Sequence, residues 1–173
     1  VHESGWFGED HTAASMRAHG KPTMLDLSAS VYQGSKVPPD PYRRATAVFQ
    51  ALKDAGVLHQ VVALYPIDEP EIHGIEDSAV TWVNGEIRRA ASAFPELAGV
   101  KLAVIYTSKG ALPGFDSYDW IGMDDYGMGS GLLVSDAWNN ILARLRSDQG
   151  AFLVPGGGDP WRQDPEAFRR YAH

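Results

Sequence analysis

The chain has no cysteine among its 173 residues, and no apolar run long enough to cross a membrane. Without cysteine there is no disulfide, no thiolate metal ligand and no cysteine nucleophile. A membrane helix needs roughly 18–20 consecutive apolar residues. No run approaches that length, so no membrane association is expected.

An excess of basic residues is also lacking. Lysine and arginine total 15 against 22 aspartates and glutamates, which gives a formal net charge of −7. An acidic chain without a basic cluster is poorly suited to grip a phosphate backbone, so no nucleic-acid partner is expected. Hydrophobic residues make up 44% of the chain, which is typical of a globular protein.

Strands and helices are predicted in alternation along the chain. Nearly continuous apolar runs, typical of parallel strands covered on both faces, occur at 23–28, 61–67, 101–107, 119–124 and 151–155. Apolar residues at helical spacing predict helices over 10–19, 41–55, 80–94, 134–145 and 164–171. Trp82 and Trp138 lie within these helices and are assigned to the core.

This alternation predicts an α/β fold with a parallel sheet, for which two architectures fit. One is the (β/α)₈ TIM barrel, and the other is a small doubly wound sheet. A complete barrel usually takes about 250 residues, whereas this sequence supplies five predicted strands in 173 residues. Length favours the doubly wound sheet, while the motifs described below favour the barrel. In the barrel interpretation, residues 1–173 form a single domain holding about strands three to seven of a longer protein.

Carboxylates and aromatic residues follow the predicted strands. In either architecture the carboxyl ends of the strands meet at one edge, where ligands bind. We expect the substrate-binding residues of this edge to be Asp26, Tyr65, Tyr106, Asp125, Tyr126, Asp159 and Trp161. A flat aromatic ring can stack on the apolar face of a sugar, so the composition of the edge fits a carbohydrate.

The tripeptide Asp68-Glu69-Pro70 follows the second predicted strand directly. Partial burial and a like charge alongside both favour the protonated form of one carboxyl group, as a general acid requires. The alternative is that Asp68 or Glu71 caps the next helix while Pro70 ends the strand.

A strand that ends in Asp-Glu-Pro resembles the fourth barrel strand of many glycoside hydrolases, in which the glutamate is the acid/base. The adjacent Asp-Glu pair is also similar to that of the substrate-assisted hexosaminidases. The resemblance implies that Glu69 is the general acid/base and that Asp68 orients the acetamido group of the substrate. In that register residues 23–28 are strand three and 151–155 strand seven, with strands one, two and eight outside the sequence.

Residues 118–126 are similar to the sixth strand of chitinase-like barrels, which ends in Met-x-Tyr-Asp. Here the order is Asp124-Asp125-Tyr126, so the role of each stays open, and an Asp-rich turn closed by Gly127 is the alternative. The seventh strand departs from the retaining enzymes, because Gly156–Gly158 stands where they carry a nucleophilic glutamate. Substrate-assisted hydrolysis, an inverting pair of Glu69 with Asp124 or Asp125, and a lost activity therefore all remain open.

The leading hypothesis is a glycoside hydrolase-like protein whose ligand is an oligosaccharide or glycan. The protein would either hydrolyse the O-glycosyl bonds of this ligand or bind it. Its catalytic residues would be Glu69, Asp68 and Asp124, with no metal and no cofactor. The alternatives are a carbohydrate-binding barrel without activity, and a metal-dependent lyase or isomerase whose carboxylates hold Mg²⁺ or Ca²⁺. The oligomeric state is not predicted, and of the possible locations an extracellular or periplasmic one is favoured.

Overall fold

A computed structural model describes residues 5–7, 12–32, 36–107, 111–125 and 136–155. Its strands are β1 (Gly5–Phe7), β2 (Thr23–Asp26), β3 (Val61–Tyr65), β4 (Lys101–Tyr106), β5 (Trp120–Asp125) and β6 (Gly150–Pro155). The helices are α1 (Thr12–His19), α2 (Ser28–Val31), α3 (Pro41–Asp54), α4 (Asp77–Ala91) and α5 (Asp136–Arg144). Short 3-10 turns lie at Leu58–Gln60, Pro95–Leu97 and Phe115–Ser117.

The strands form one sheet in which every strand is parallel to its neighbour and pairs with the next strand along the chain, from β1 to β6. The predicted class, α/β with a parallel sheet, is confirmed. The prediction of five strands was one short, because Gly5–Phe7 pairs with β2. A strand of three residues is too short to show a hydrophobic period in the sequence.

The two longest described helices pack against one another beside the sheet. Pro41 begins α3, where its missing N–H costs no hydrogen bond, and Asp40 just before it pairs with Arg44 at 3.0 Å. Phe49 of α3 meets Phe94, which follows α4, edge to face with 5.7 Å between ring centroids. The apolar stripe predicted for α4 is buried, including Val80, Val83, Ile87 and Ala90.

Two apolar clusters lie on opposite faces of the sheet. The larger cluster joins the helices to strand residues such as Leu25, Leu64 and Val104. The smaller contains Tyr65, Ala103 and Ile105, with partly buried Met24, Trp120, Phe152 and Val154 packed against it. Because alternate residues of a strand point to opposite sides, we call these sides the helix-covered face and the opposite face.

The two helical tryptophans differ in burial. Trp138 packs against the large cluster, whereas Trp82 is 46% exposed, so the prediction that Trp82 is a core residue was wrong. Trp82 follows Val80 by two residues, which places it about 200° around α4 from that member of the buried stripe, on the solvent side. The helix predicted over 164–171 lies outside the described residues.

None of the described helices combines the length and the apolar character that crossing a membrane requires.

Candidate active site

The candidate site lies where β3 ends. Pro66 and Ile67 continue the chain in buried positions, and Asp68 then forms a parallel bridge with Ile105, near the end of β4. The N–H of Glu69 donates to the carbonyl oxygen of Ile105 at 3.2 Å. The Asp-Glu pair is therefore fixed to the neighbouring strand through its backbone.

Glu69 has an unusual backbone conformation. Its φ is +44°, and within the described ranges no other residue except glycine has a positive φ. A non-glycine residue in such a sparsely populated region costs on the order of 1–3 kcal/mol, and residues of this kind cluster at functional sites. The strain marks Glu69 as the residue whose placement the surrounding structure enforces.

A tight turn connects Glu69 to α4. The carbonyl oxygen of Glu69 accepts hydrogen bonds from the N–H groups of Ile72 and His73 at 2.9 and 3.4 Å. Helix α4 begins only at Asp77, and Glu76 at its N-cap makes no capping hydrogen bond through its side chain. The alternative in which Asp68 or Glu71 caps this helix is therefore wrong.

Tyr65, the last residue of β3, contacts the carboxylate of Asp68. Its side chain is fully buried, and its hydroxyl donates to Oδ1 of Asp68. Burial is the main cause that raises the pKa of Tyr65, and the hydrogen bond to Asp68 and the charges of Asp68, Asp26 and Glu69 raise it further. The prediction that the Tyr65 ring stacks on a sugar needs correction, because a fully buried ring offers no face to a ligand.

Asp26 ends the adjacent strand β2 at the position that pairs with Tyr65. One of its carboxylate oxygens, Oδ1, accepts the N–H of Ser28 at 2.8 Å, which fixes the side chain at the sheet edge. The structure thus brings together Asp26, Tyr65, Asp68 and Glu69, all four of which the sequence had placed in the site.

Tyr106 is separated from this group. It ends β4 on the helix-covered face, where its hydroxyl donates to the carbonyl oxygen of Pro113 at 2.8 Å and its ring stacks on Phe115. Burial is the main cause that raises its pKa. The prediction of a substrate-binding role for Tyr106 is corrected to a packing role, because the residue faces the helices.

Five other predicted site residues fall wholly or partly outside the described structure. Asp124 and Asp125 occupy β5 positions whose register partners in β6 are Val154 and Pro155, but their side chains are outside the description. The remaining three, which lie outside it entirely, are Tyr126, Asp159 and Trp161.

Sequence reasoning missed one connection in the site. Oε1 of Glu71 accepts hydrogen bonds from both the N–H of Thr107 at 2.6 Å and its hydroxyl at 2.9 Å. Both residues follow the end of a strand, and this position was the signal in the sequence that could have placed them near each other. Only the fold shows that they meet, because they are separated by α4 and β4 in the chain.

The described side chains include no group of three or more histidines, cysteines, aspartates and glutamates arranged to hold a metal ion. The metal-dependent alternative therefore gains no support from this part of the chain. Comparison with models of known protein families and with curated proteins found no match to the chain. The resemblance to glycoside hydrolases accordingly rests on the residues quoted above.

Proposed function

We propose that this chain is glycoside hydrolase-like and that Glu69 is its general acid/base. One observation carries the proposal: Glu69 is held at φ +44° beside Asp68, at the carboxyl end of a parallel strand. The Tyr65 hydroxyl donates to the Asp68 carboxylate, and Asp26 ends the neighbouring strand at the position that pairs with Tyr65. A strained acid with a second carboxylate next to it suits proton transfer to a glycosidic oxygen.

The strand order supports the barrel as the architecture of this site. A doubly wound sheet reverses its strand order at a switch point, whereas here each strand pairs with the next throughout the described sheet. Right-handed crossovers in one direction place all connecting helices on the same side. The small apolar cluster on the opposite face then corresponds to a barrel interior filled by side chains. In this interpretation the six strands are about strands two to seven.

The adjacent carboxylates support a substrate-assisted reaction. The acetamido oxygen of the sugar would attack the anomeric carbon while Glu69 protonates the departing glycosidic oxygen. Asp68, oriented by the Tyr65 hydroxyl, would accept the hydrogen bond of the acetamido N–H. Water would then open the cyclic intermediate as Glu69 takes its proton.

Asp124 offers an inverting alternative to this mechanism. It lies in β5, where its backbone register partner in β6 is Val154. A distance of about 6.5–9.5 Å between the Glu69 and Asp124 carboxyl groups would leave room for an attacking water. The stereochemistry of the product distinguishes this route from substrate assistance, which retains configuration.

The test compares Glu69→Gln with Glu76→Gln, the same chemical change at an exposed position seven residues further along the chain. The substrates are aryl glycosides with and without a 2-acetamido group. Loss of a general acid typically costs about 10²–10⁴-fold in rate, so Glu69→Gln should lose that much kcat and the control should lose none. The proposal fails if the parent protein cleaves none of these substrates, or if Glu69→Gln turns them over unchanged.

A glycan-binding protein without activity is the second candidate, favoured by the triple glycine at 156–158 where a retaining enzyme carries its nucleophile. Calorimetry against a panel of oligosaccharides separates the two functions. Binding without turnover by the parent protein supports the second candidate, and turnover rejects it.

A further inference from the structure

The carboxylate of Glu71 ties the turn after β3 to the end of β4. Its Oε1 accepts two hydrogen bonds from Thr107, the residue that follows the last residue of β4. A carboxylate that accepts two bonds from one residue fixes both position and orientation, and bonds to a charged acceptor are the stronger kind. The contact therefore fixes the position of the turn relative to the end of β4.

Glu69 sits between this contact and two backbone contacts to the same strand. Before it, Asp68 bridges to Ile105, and at Glu69 itself the N–H bonds to the Ile105 carbonyl oxygen. Glu71 then adds a side-chain attachment to Thr107, directly after β4. A strained φ persists only where the surroundings over-determine it, and these contacts on both sides of Glu69 meet that requirement.

The cost of Glu71 argues against a role in stability alone. Its second oxygen, Oε2, is buried and accepts no hydrogen bond within the described part of the chain. A buried oxygen without a partner is unfavourable by about 1–3 kcal/mol, and more when the group is charged. An apolar residue would avoid that cost but could not accept the two hydrogen bonds from Thr107.

We propose that Glu71 is a positioning residue that, through Thr107, holds Glu69 in its left-handed conformation and so aims the acid at the leaving group. The kinetic side of this inference rests on the proposed function. The structural side, a contact that keeps the turn closed on β4, stands on the described hydrogen bonds alone.

The kinetic test uses Glu71→Met, Thr107→Val and the double variant. Glu76→Met and Thr81→Val, at exposed positions, repeat the same chemical changes as controls. Thr107→Ser keeps both hydrogen bonds and should keep the parent rate.

A misplaced acid slows the departure of poor leaving groups, which need the proton, more than that of activated leaving groups. For each single variant we expect about 10–100-fold lower kcat on phenyl glycosides and a much smaller loss of kcat on dinitrophenyl glycosides. Because the two residues form one contact, the loss of kcat in the double variant should be smaller than the product of the losses in the two single variants.

Amide hydrogen exchange supplies the second readout, which needs no substrate. Glu71→Met and Thr107→Val should speed exchange at the amides of Glu69 and Thr107, while the buried Val83 amide in α4 keeps its protection. Unchanged exchange at Glu69 overturns the inference, and so does faster exchange with an unaltered dependence on the leaving group in an active enzyme. An inactive parent protein with faster exchange in both variants rejects the proposed function but supports the contact. A variant that loses protection at Val83 as well is replaced by the other member of the pair.

Discussion

Two tyrosines end neighbouring strands of the sheet, and their surroundings are opposite. Tyr65 ends β3 and Tyr106 ends β4, and both side chains are fully buried. The Tyr65 hydroxyl donates to the Asp68 carboxylate, whereas the Tyr106 hydroxyl donates to the backbone oxygen of Pro113. Most buried hydroxyls find an acceptor, and of these two only Tyr65 finds it in a residue of the candidate site.

Register explains the difference. Leu64 of β3 pairs with Leu102 of β4. Tyr65 is one residue past its paired leucine and Tyr106 is four past, so the two positions differ by an odd number of residues. Alternate strand residues face opposite sides, and the two tyrosines therefore point away from each other. Standing at a strand end brings a side chain to the functional edge, but strand parity decides whether it reaches the site.

The largest effect that tests this comparison is expected in alkaline solution. Burial is the main cause that raises the pKa values of Tyr32, Tyr65, Tyr106 and Tyr118 above their usual range. A tyrosine whose pKa is raised by folding stabilises the protein fully below its unfolded pKa of about 10, and this stabilisation is lost as pH rises further. Each such tyrosine should lower the free energy of unfolding by about 1.4 kcal/mol per pH unit above that point.

Urea unfolding between about pH 8 and pH 11 measures this slope. Tyr65→Phe and Tyr106→Phe should each flatten it by the share of one tyrosine, since both rings are equally buried. If only Tyr106→Phe flattens the slope, Tyr65 ionises freely in the folded protein and the comparison of two buried tyrosines fails.

The same two variants should differ in catalysis. Tyr65→Phe leaves Asp68 without its hydroxyl partner, and we expect about 10–100-fold lower kcat on 2-acetamido aryl glycosides, because a small misplacement of a catalytic group can cost that much. Tyr106→Phe should keep the parent rate and lose about 1 kcal/mol of stability for one buried hydrogen bond. Kinetics and urea unfolding of both variants check this. Equal rate losses would show that Tyr106 also serves the site.

The class of fold could be predicted because apolar runs and helical periods are local properties of the chain. The three-residue strand β1 carries no such period and was missed. The Asp-Glu-Pro motif located Asp68 and Glu69 because it directly follows a buried strand. Parity between strands is not local, since β4 is buried on both faces and its sequence does not alternate. Tyr106 was misplaced for that reason.

Two features of the site depend on contacts that no local pattern contains. Glu69 has its positive φ where its N–H bonds to the carbonyl oxygen of Ile105, a residue of the next strand. The bond between Glu71 and Thr107 requires the strands to be paired before the two residues can meet. Motifs therefore predict which residues form such a site, and pairing of the strands determines how they are held.

The last comparison concerns packing on the two sides of the sheet. A Cβ at Gly122 of β5 would lie 2.5 Å from Cζ of Phe152 and 2.9 Å from Cγ1 of Ile105, on the opposite face. A Cβ at Gly85 in α4 would meet nothing within 4 Å. Gly122→Ala should therefore lose about 1–3 kcal/mol through overpacking, and Gly85→Ala should gain about 0.5–1 kcal/mol from the better helix propensity of alanine.

Urea unfolding gives both values, and Gly85→Ala serves as the matched control. A tolerated Gly122→Ala would mean that the opposite face is loosely packed and that Phe152 moves aside. Ile105 also carries the carbonyl oxygen that binds the Glu69 N–H. If the new methyl group displaces Ile105 rather than Phe152, the amide of Glu69 should exchange faster in Gly122→Ala. The exchange rate at the Glu69 amide therefore shows whether the small apolar cluster adapts by moving Phe152 alone or transmits the change through Ile105 to the site.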